Sequence, residues 1–158
     1  MSTLRSDVTA DDVKAIRHMV KDSGVFSPEE IDVAEELAED RFKLGKKSHY
    51  HFLLADNASA LAGYTCFGRI PLTQERYDLY WIVVDKSAQQ QGLASKLMTE
   101  TEAAIRKLGG KAIYAETSSR AVYAPAIAFY CKHGFIEAAR LKNFYADGDD
   151  KLTFGKFL

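Results

Sequence analysis

The segment Asp85-Lys86-Ser87-Ala88-Gln89-Gln90-Gln91-Gly92-Leu93-Ala94 stands between an apolar run, Trp81 to Val84, and a stretch with helical periodicity. A turn that leads straight into a helix N-terminus presents unpaired backbone N–H groups at the positive end of the helix dipole. That is chemistry for phosphate oxygens. Gly92 and Ala94 are small where such a ligand would approach. The spacing Gln89-x-x-Gly92-x-Ala94 fits no G-x-G-x-x-G dinucleotide fingerprint and lacks the Gly-Lys-Ser/Thr of a nucleotide P-loop, so a different phosphate ligand is implied. Glu116 closes a second apolar run, and a carboxylate at the carboxyl end of a strand can take a proton from an amine through water. Other reactive side chains read as ordinary ones. His49 and His51 share a face of a predicted strand with no third ligand nearby, so no metal is expected. Cys66 and Cys131 are too far apart for a zinc pair or a disulfide framework and are expected to be small buried thiols. His133, before Gly134, reads as a cation at a helix C-terminus.

Positioning these groups requires alternating elements. Thr3 to Ser6 is a short strand. Thr9 with Asp12 forms an N-cap pair ahead of Val13, Ile16 and Val20, which marks a helix ending near Gly24. Ser27-Pro28-Glu29-Glu30 combines an N-cap, a proline at the first helical position and a capping-box Glu. The helix it opens carries Ile31, Ala34, Ala38 and Phe42 and ends near Leu44. Tyr50 to Ala55 and Leu61 to Phe67 read as an antiparallel hairpin about the turn Asp56-Asn57-Ala58-Ser59. Asp78 to Val84 is a central strand covered on each side, because its last residues are apolar on both faces. The helix opened by Gly92 keeps Leu93, Leu97, Ala104, Ile105 and Leu108 on one face until Gly109-Gly110. A strand (Ala112 to Thr117), a helix (Ala124 to His133) and two late strands follow. The pattern predicts one α/β domain over residues 1–158, a mixed central sheet with helices on both faces.

The 158 residues carry 21 Lys plus Arg against 22 Asp plus Glu, so there is no overall positive field to hold a nucleic acid backbone. The apolar runs fall far short of the roughly 18 residues needed to cross a bilayer. The polar N-terminal segment Met1 to Asp12 reads as neither secretory signal nor anchor, so a cytoplasmic location is expected.

The turn resembles the coenzyme A turn of the GCN5-related N-acetyltransferases, Gln/Arg-x-x-Gly-x-Gly/Ala after a central strand. Ile127-Ala128-Phe129-Tyr130-Cys131-Lys132-His133-Gly134-Phe135 resembles the A-I-x-F/L-Y-x-x-x-G-F signature of the same family. The two motifs lie in the right order within roughly Tyr80 to Leu158. The resemblance implies acetyl-CoA as co-substrate and direct transfer of acetyl to a primary amine of a small molecule, an amino acid or a peptide N-terminus. It implies cofactor contacts from Gln89, Gln90, Gln91, Gly92, Leu93 and Ala94, and backbone hydrogen bonds to carbonyl and pantetheine from Ile82, Val83 and Val84. Homodimers are common in the family.

Such a transfer needs an amine without its proton, a donor to the carbonyl oxygen and a route for the thiolate to leave. The family's tyrosine, which protonates the leaving thiolate, falls on Tyr130. Phe129 and Tyr130 point about 100° apart on a helix, so one can face the core and the other the cleft. Glu116 corresponds to the strand glutamate of the bacterial ribosomal-protein N-acetyltransferases and is the candidate base. Lys142-Asn143-Phe144-Tyr145-Ala146-Asp147-Gly148-Asp149-Asp150-Lys151-Leu152 is similar to the K-N-Y-Y-P-x-G-E-D-A-L hairpin of the ribosomal-protein alanine acetyltransferases. Phe144 there replaces a tyrosine. Phe26 and Tyr145 would line the acceptor entrance. The family's Ser-Asn before the tyrosine helix is absent: Tyr123 stands in the Asn position, and the loop after Glu116 is about two residues longer. The competing reading is a non-catalytic acyl-CoA-binding or sensor domain; the presence of both Tyr130 and Glu116 argues against it.

Overall fold

The computed structural model describes residues 2–58 and 60–158. Their strands form one seven-stranded mixed sheet in the order β1-β2-β3-β4-β5-β7-β6. In chain order the elements are β1 (Thr3–Arg5), α1 (Ala10–Asp22), α2 (Pro28–Leu44), β2 (His51–Asn57), β3 (Ala60–Arg69), β4 (Arg76–Val84), α3 (Leu93–Lys107), β5 (Ala112–Ser118), α4 (Ala124–Lys132), β6 (Ile136–Ala146) and β7 (Asp149–Phe157). The described chain divides into two compact units, one running to Gly68 and including Trp81–Ala103, the other made of Arg69–Tyr80 and Ala104–Leu158.

In the first unit local sequence sets the helix starts. Both expected capping boxes form: the Thr9 side chain accepts from the Asp12 N–H and Asp12 answers to the Thr9 N–H, and Ser27 and Glu30 repeat this at α2. Each box satisfies two N–H groups that the first turn leaves without partners. Arg5 then ties three elements together, donating to Asp12 of α1 at 2.7 Å and to Asp56 of β2 at 2.6 Å. Burial disfavours the Asp12 charge, but the hydrogen bonds from Arg5 and Thr9 outweigh it and hold the carboxyl below its ordinary range. The hairpin pairs His51 with Phe67 through to Asn57 with Ala60, two residues beyond the expected end of its first strand. Ser59, expected in its turn, lies outside the described residues. One face of the hairpin buries Phe52, Leu54, Tyr64 and Cys66 completely. On the other, Thr65 shares a 2.7 Å hydrogen bond with Thr101 of α3. Ala55, Ala62, Leu93 and Leu97 form a core cluster against which Leu53, Ile82 and Val84 pack.

In the second unit β5 pairs in parallel with β4 from Arg76↔Ala112 to Asp78↔Tyr114 and antiparallel with β7 along its whole length. The β6–β7 hairpin turns at Asp147-Gly148, as its turn chemistry predicts. β6 is exposed throughout. α4 sends Tyr130 inward, and its neighbour Cys131 is exposed. The expected buried thiol is therefore found at Cys66 and not at Cys131. Successive helical side chains diverge by about 100°, so a buried Tyr130 turns Cys131 outward.

A close approach beyond α3 gives a test of this packing. A Cβ added at Gly110 would lie 2.3 Å from Ile105 Cγ2 and 2.8 Å from the Tyr77 ring. Gly110→Ala should lower unfolding stability by about 1–3 kcal/mol through overpacking, read from chemical denaturation. A stability within 0.3 kcal/mol of the parent, on the order of measurement error, would contradict this packing.

Candidate active site

In the first unit the end of β4 runs into a turn that the chain braces from within. Asp85 accepts from the Ser87 N–H at 3.0 Å and from its hydroxyl at 2.5 Å, and these bonds hold the Asp85 carboxyl below its ordinary range. The Gln89 side-chain amide donates to the Val84 carbonyl at 3.3 Å, so this residue fastens the turn to the strand. The backbone then twists through left-handed φ at Gln90 (61°) and Gly92 (76°). The first bond of α3 runs from the Lys96 N–H to the Gly92 carbonyl at 3.0 Å, which leaves the Leu93 and Ala94 N–H groups ahead of the helical ladder. Gln89, Gln90, Gln91 and Gly92 are exposed, and Leu93 is buried as the anchor of the turn.

Beside the turn is a cavity of about 270 Å³ lined by Ser2, Asn57, Gln91, Gly92, Leu93 and Lys96. Lys96 Nζ donates to the Ser2 carbonyl at 2.9 Å. N–H groups ahead of the helical ladder, a helix dipole and a lysine one turn further along α3 suit a diphosphate ester. Lys96 was not among the residues singled out from sequence; its position one helical turn after Gly92 is the signal that marks it.

In the same unit Ile82 and Val84 pack toward Leu93 and Leu97 of α3, while Val83 is buried. The last residues of β4 are covered less completely than the apolar run predicts, for Trp81, Ile82 and Val84 are only half-buried. Phe26, in the loop between α1 and α2, meets Trp81 with ring centres 4.9 Å apart.

The second unit holds the other residues singled out from sequence. Tyr130 is 8% exposed, its ring stacked on Phe154 at 5.8 Å and tilted against Phe135 at 5.4 Å. Of the two adjacent aromatics it is thus Tyr130 that turns inward; Phe129 lies half-buried against His133. Burial pushes the Tyr130 phenol up to about 12, because the phenolate would lose its hydration. It is a neutral proton donor at every physiological pH.

Glu116 is exposed on β5, opposite Thr153 of β7, and its Oε2 lies 3.1 Å from Lys151 Nζ. The same lysine sits 4.7 Å above the Phe144 ring, and Phe144 packs edge-on to Tyr145 at 5.1 Å. Glu116 is therefore joined through Lys151 and Phe144 to Tyr145, a chain of contacts that sequence order does not reveal. The long loop after β5 is pinned to β7: the Ser119 N–H donates to the Asp150 carbonyl at 2.9 Å, and the Asp150 N–H to the Ser119 hydroxyl at 2.8 Å. Among the described residues no group of three or more His, Cys, Asp or Glu is placed to hold a metal ion.

In the first unit β4 ends in a turn whose N–H groups ahead of the α3 ladder suit phosphate oxygens, and in the second unit α4 buries a neutral tyrosine. Residues 13–135 match the model of the acetyltransferase (GNAT) family. A crystal structure of a GNAT-family chain from Desulfovibrio desulfuricans is similar over 99% of both chains, at 39% identity and a TM-score of 0.96. The ribosomal-protein-S18-alanine N-acetyltransferase from Escherichia coli shares the fold at 22% identity and a TM-score of 0.78, covering 99% of this chain and 94% of that one. So does the PaiA N-acetyltransferase from Thermoplasma acidophilum, solved in complex with coenzyme A, at 19% identity and a TM-score of 0.74, covering 100% and 99%. No curated protein matches the sequence. The chain belongs to the GNAT acetyltransferase family, and acetyl-CoA is its co-substrate. No helix among the described residues is long and apolar enough to cross a membrane.

Proposed function

We propose that this protein is a cytoplasmic, single-domain N-acetyltransferase that moves acetyl directly from acetyl-CoA to a primary amine of a small molecule, an amino acid or a peptide N-terminus. The observation that most supports the reading is the turn after β4. Left-handed residues at Gln90 and Gly92 and the N–H groups ahead of the α3 ladder form a cradle for diphosphate oxygens. In this reading the backbones of Gln89, Gln90, Gln91, Gly92, Leu93 and Ala94 hold the diphosphate. The backbone of Ile82, Val83 and Val84 binds the pantetheine arm and the carbonyl oxygen. Acetyl-CoA supplies the activated thioester.

Tyr130 gives its phenolic proton to the departing sulfur. Glu116, through water, holds the proton that the amine gives up, and Lys151 steadies the carboxylate. Phe26 and Tyr145 border the acceptor. Incubating the protein with acetyl-CoA and a panel of amines while following free thiol tests the whole reading. Thiol release that depends on a primary amine is expected; coenzyme A binding without release from any amine would replace the reading with an acyl-CoA sensor.

The base has its own test. Glu116→Gln should lower kcat/KM at pH 7 by about tenfold, and the deficit should shrink toward pH 9, where an α-amino acceptor, titrating near 8, supplies its own free base. A deficit that stays constant across that range would leave Glu116 with a binding role and no part in proton transfer.

A further inference from the structure

Trp81 and Phe26 form an aromatic corner beside the strand segment that carries the proposed backbone donors. Side chains alternate along β4, and Ile82 and Val84 pack with Leu93 and Leu97, so Trp81 emerges on the opposite face. There its ring meets Phe26 at 4.9 Å with the planes inclined by 67°. Neither ring is buried in the core: both are half-exposed, whereas Leu54, Tyr64 and Leu97 of the same unit are fully covered.

The loop that presents Phe26 is held at both ends. Gly24 takes φ 73° at the end of α1. The Ser23 hydroxyl donates to the Val20 carbonyl at 2.7 Å and accepts from the Val25 N–H at 3.4 Å. Ser27 is locked by its capping box. Phe26 therefore occupies a defined place without help from a ligand, the preorganisation a specificity wall requires.

The two rings touch edge to face, and each keeps part of its surface uncovered. A flat aromatic group stacks on such an uncovered ring surface. Trp81 also directly precedes Ile82, and one strand residue spans about 3.3 Å. An amine brought to the backbone of Ile82 to Val84 thus carries its own substituent within reach of the Trp81 ring.

We propose that Phe26 and Trp81 select acceptor amines that bear an aromatic side chain. The proposal rests on the reading of the chain as an amine acetyltransferase. The protein's single tryptophan gives the experiment a direct readout, since all indole emission comes from Trp81. The enzyme is titrated with phenethylamine, butylamine and the dipeptides Phe-Gly and Ala-Gly in the presence of coenzyme A, and thiol release from acetyl-CoA is measured in parallel. The aromatic member of each pair should perturb Trp81 emission and saturate at about tenfold lower concentration than its aliphatic counterpart. The pair that responds more strongly distinguishes a free amine from a peptide N-terminus as the source.

Phe26→Ala should cut the kcat/KM ratio of aromatic over aliphatic acceptor by about tenfold. Phe26→Leu, which keeps an apolar side chain in the loop, should show the same loss of discrimination and so exclude a folding defect. Equal saturation by aromatic and aliphatic amines, or an unchanged ratio in both variants, would overturn the proposal. Thiol release from no amine at all would instead overturn the acetyltransfer reading, while the Trp81 titration would still decide for or against the corner.

Discussion

Tyr130→Phe should lower kcat by about 10²-fold or more while acetyl-CoA affinity barely moves. The ring stacks on Phe154 and tilts against Phe135, and phenylalanine preserves both contacts, so the substitution removes the hydroxyl and little else. The direction of the pKa shift makes the pH dependence specific. Burial favours the neutral phenol and pushes the group up to about 12, so the acid form is present throughout pH 6 to 9 and contributes no titration of its own. Activity over that interval should rise with pH as the acceptor amine loses its proton. The variant should follow a parallel curve displaced downward. A folded Tyr130→Phe enzyme that turns over its best amine at the parental rate across the interval would make the tyrosine a packing residue only, with the thiolate leaving through water.

Gly92→Glu should weaken coenzyme A binding by at least about a hundredfold. Gly92 lies at φ 76°, where an L residue is strained by roughly 1–2 kcal/mol. Its missing Cβ points into open space, with nothing within 4 Å. Gly92→Ala therefore isolates the backbone strain, which the free and the bound protein share, so most of it cancels in the affinity and the cost should be less than about tenfold. Glutamate adds a negative charge beside the N–H groups assigned to the diphosphate in the proposed site. At about 4 Å and an effective dielectric near 20 that repulsion is about 4 kcal/mol, and water at this exposed turn reduces it. Calorimetry on both variants decides the matter. An unchanged affinity in a folded Gly92→Glu protein would remove the turn from the binding site.

Elements governed by neighbours in the chain were legible in the sequence. Thr9 with Asp12 and Ser27 with Glu30 cap their helices as their spacing predicts, because each box closes over three residues. Gly92 opens α3, and Asp147-Gly148 turns the last hairpin. The order of strands and helices followed, and with it the mixed sheet. The turn after β4 was legible too, since Gly92 takes the left-handed φ that leads the chain into α3.

Contacts decided by how side chains and elements meet in space were not legible. Nothing local says that the Gln89 side chain would reach back to the Val84 carbonyl instead of toward a ligand. Helical periodicity puts Phe129 and Tyr130 on different faces without saying which faces the core; packing against Phe154 and Phe135 turns Tyr130 inward and leaves Cys131 exposed. Glu116 acquires its Lys151 partner, and Phe26 its Trp81 partner, only when separate elements are brought side by side. Periodicity shows that a side chain will be covered or will face solvent. Which group covers it depends on the register between strands and on the approach of loops, both set by the free energy of the assembled core.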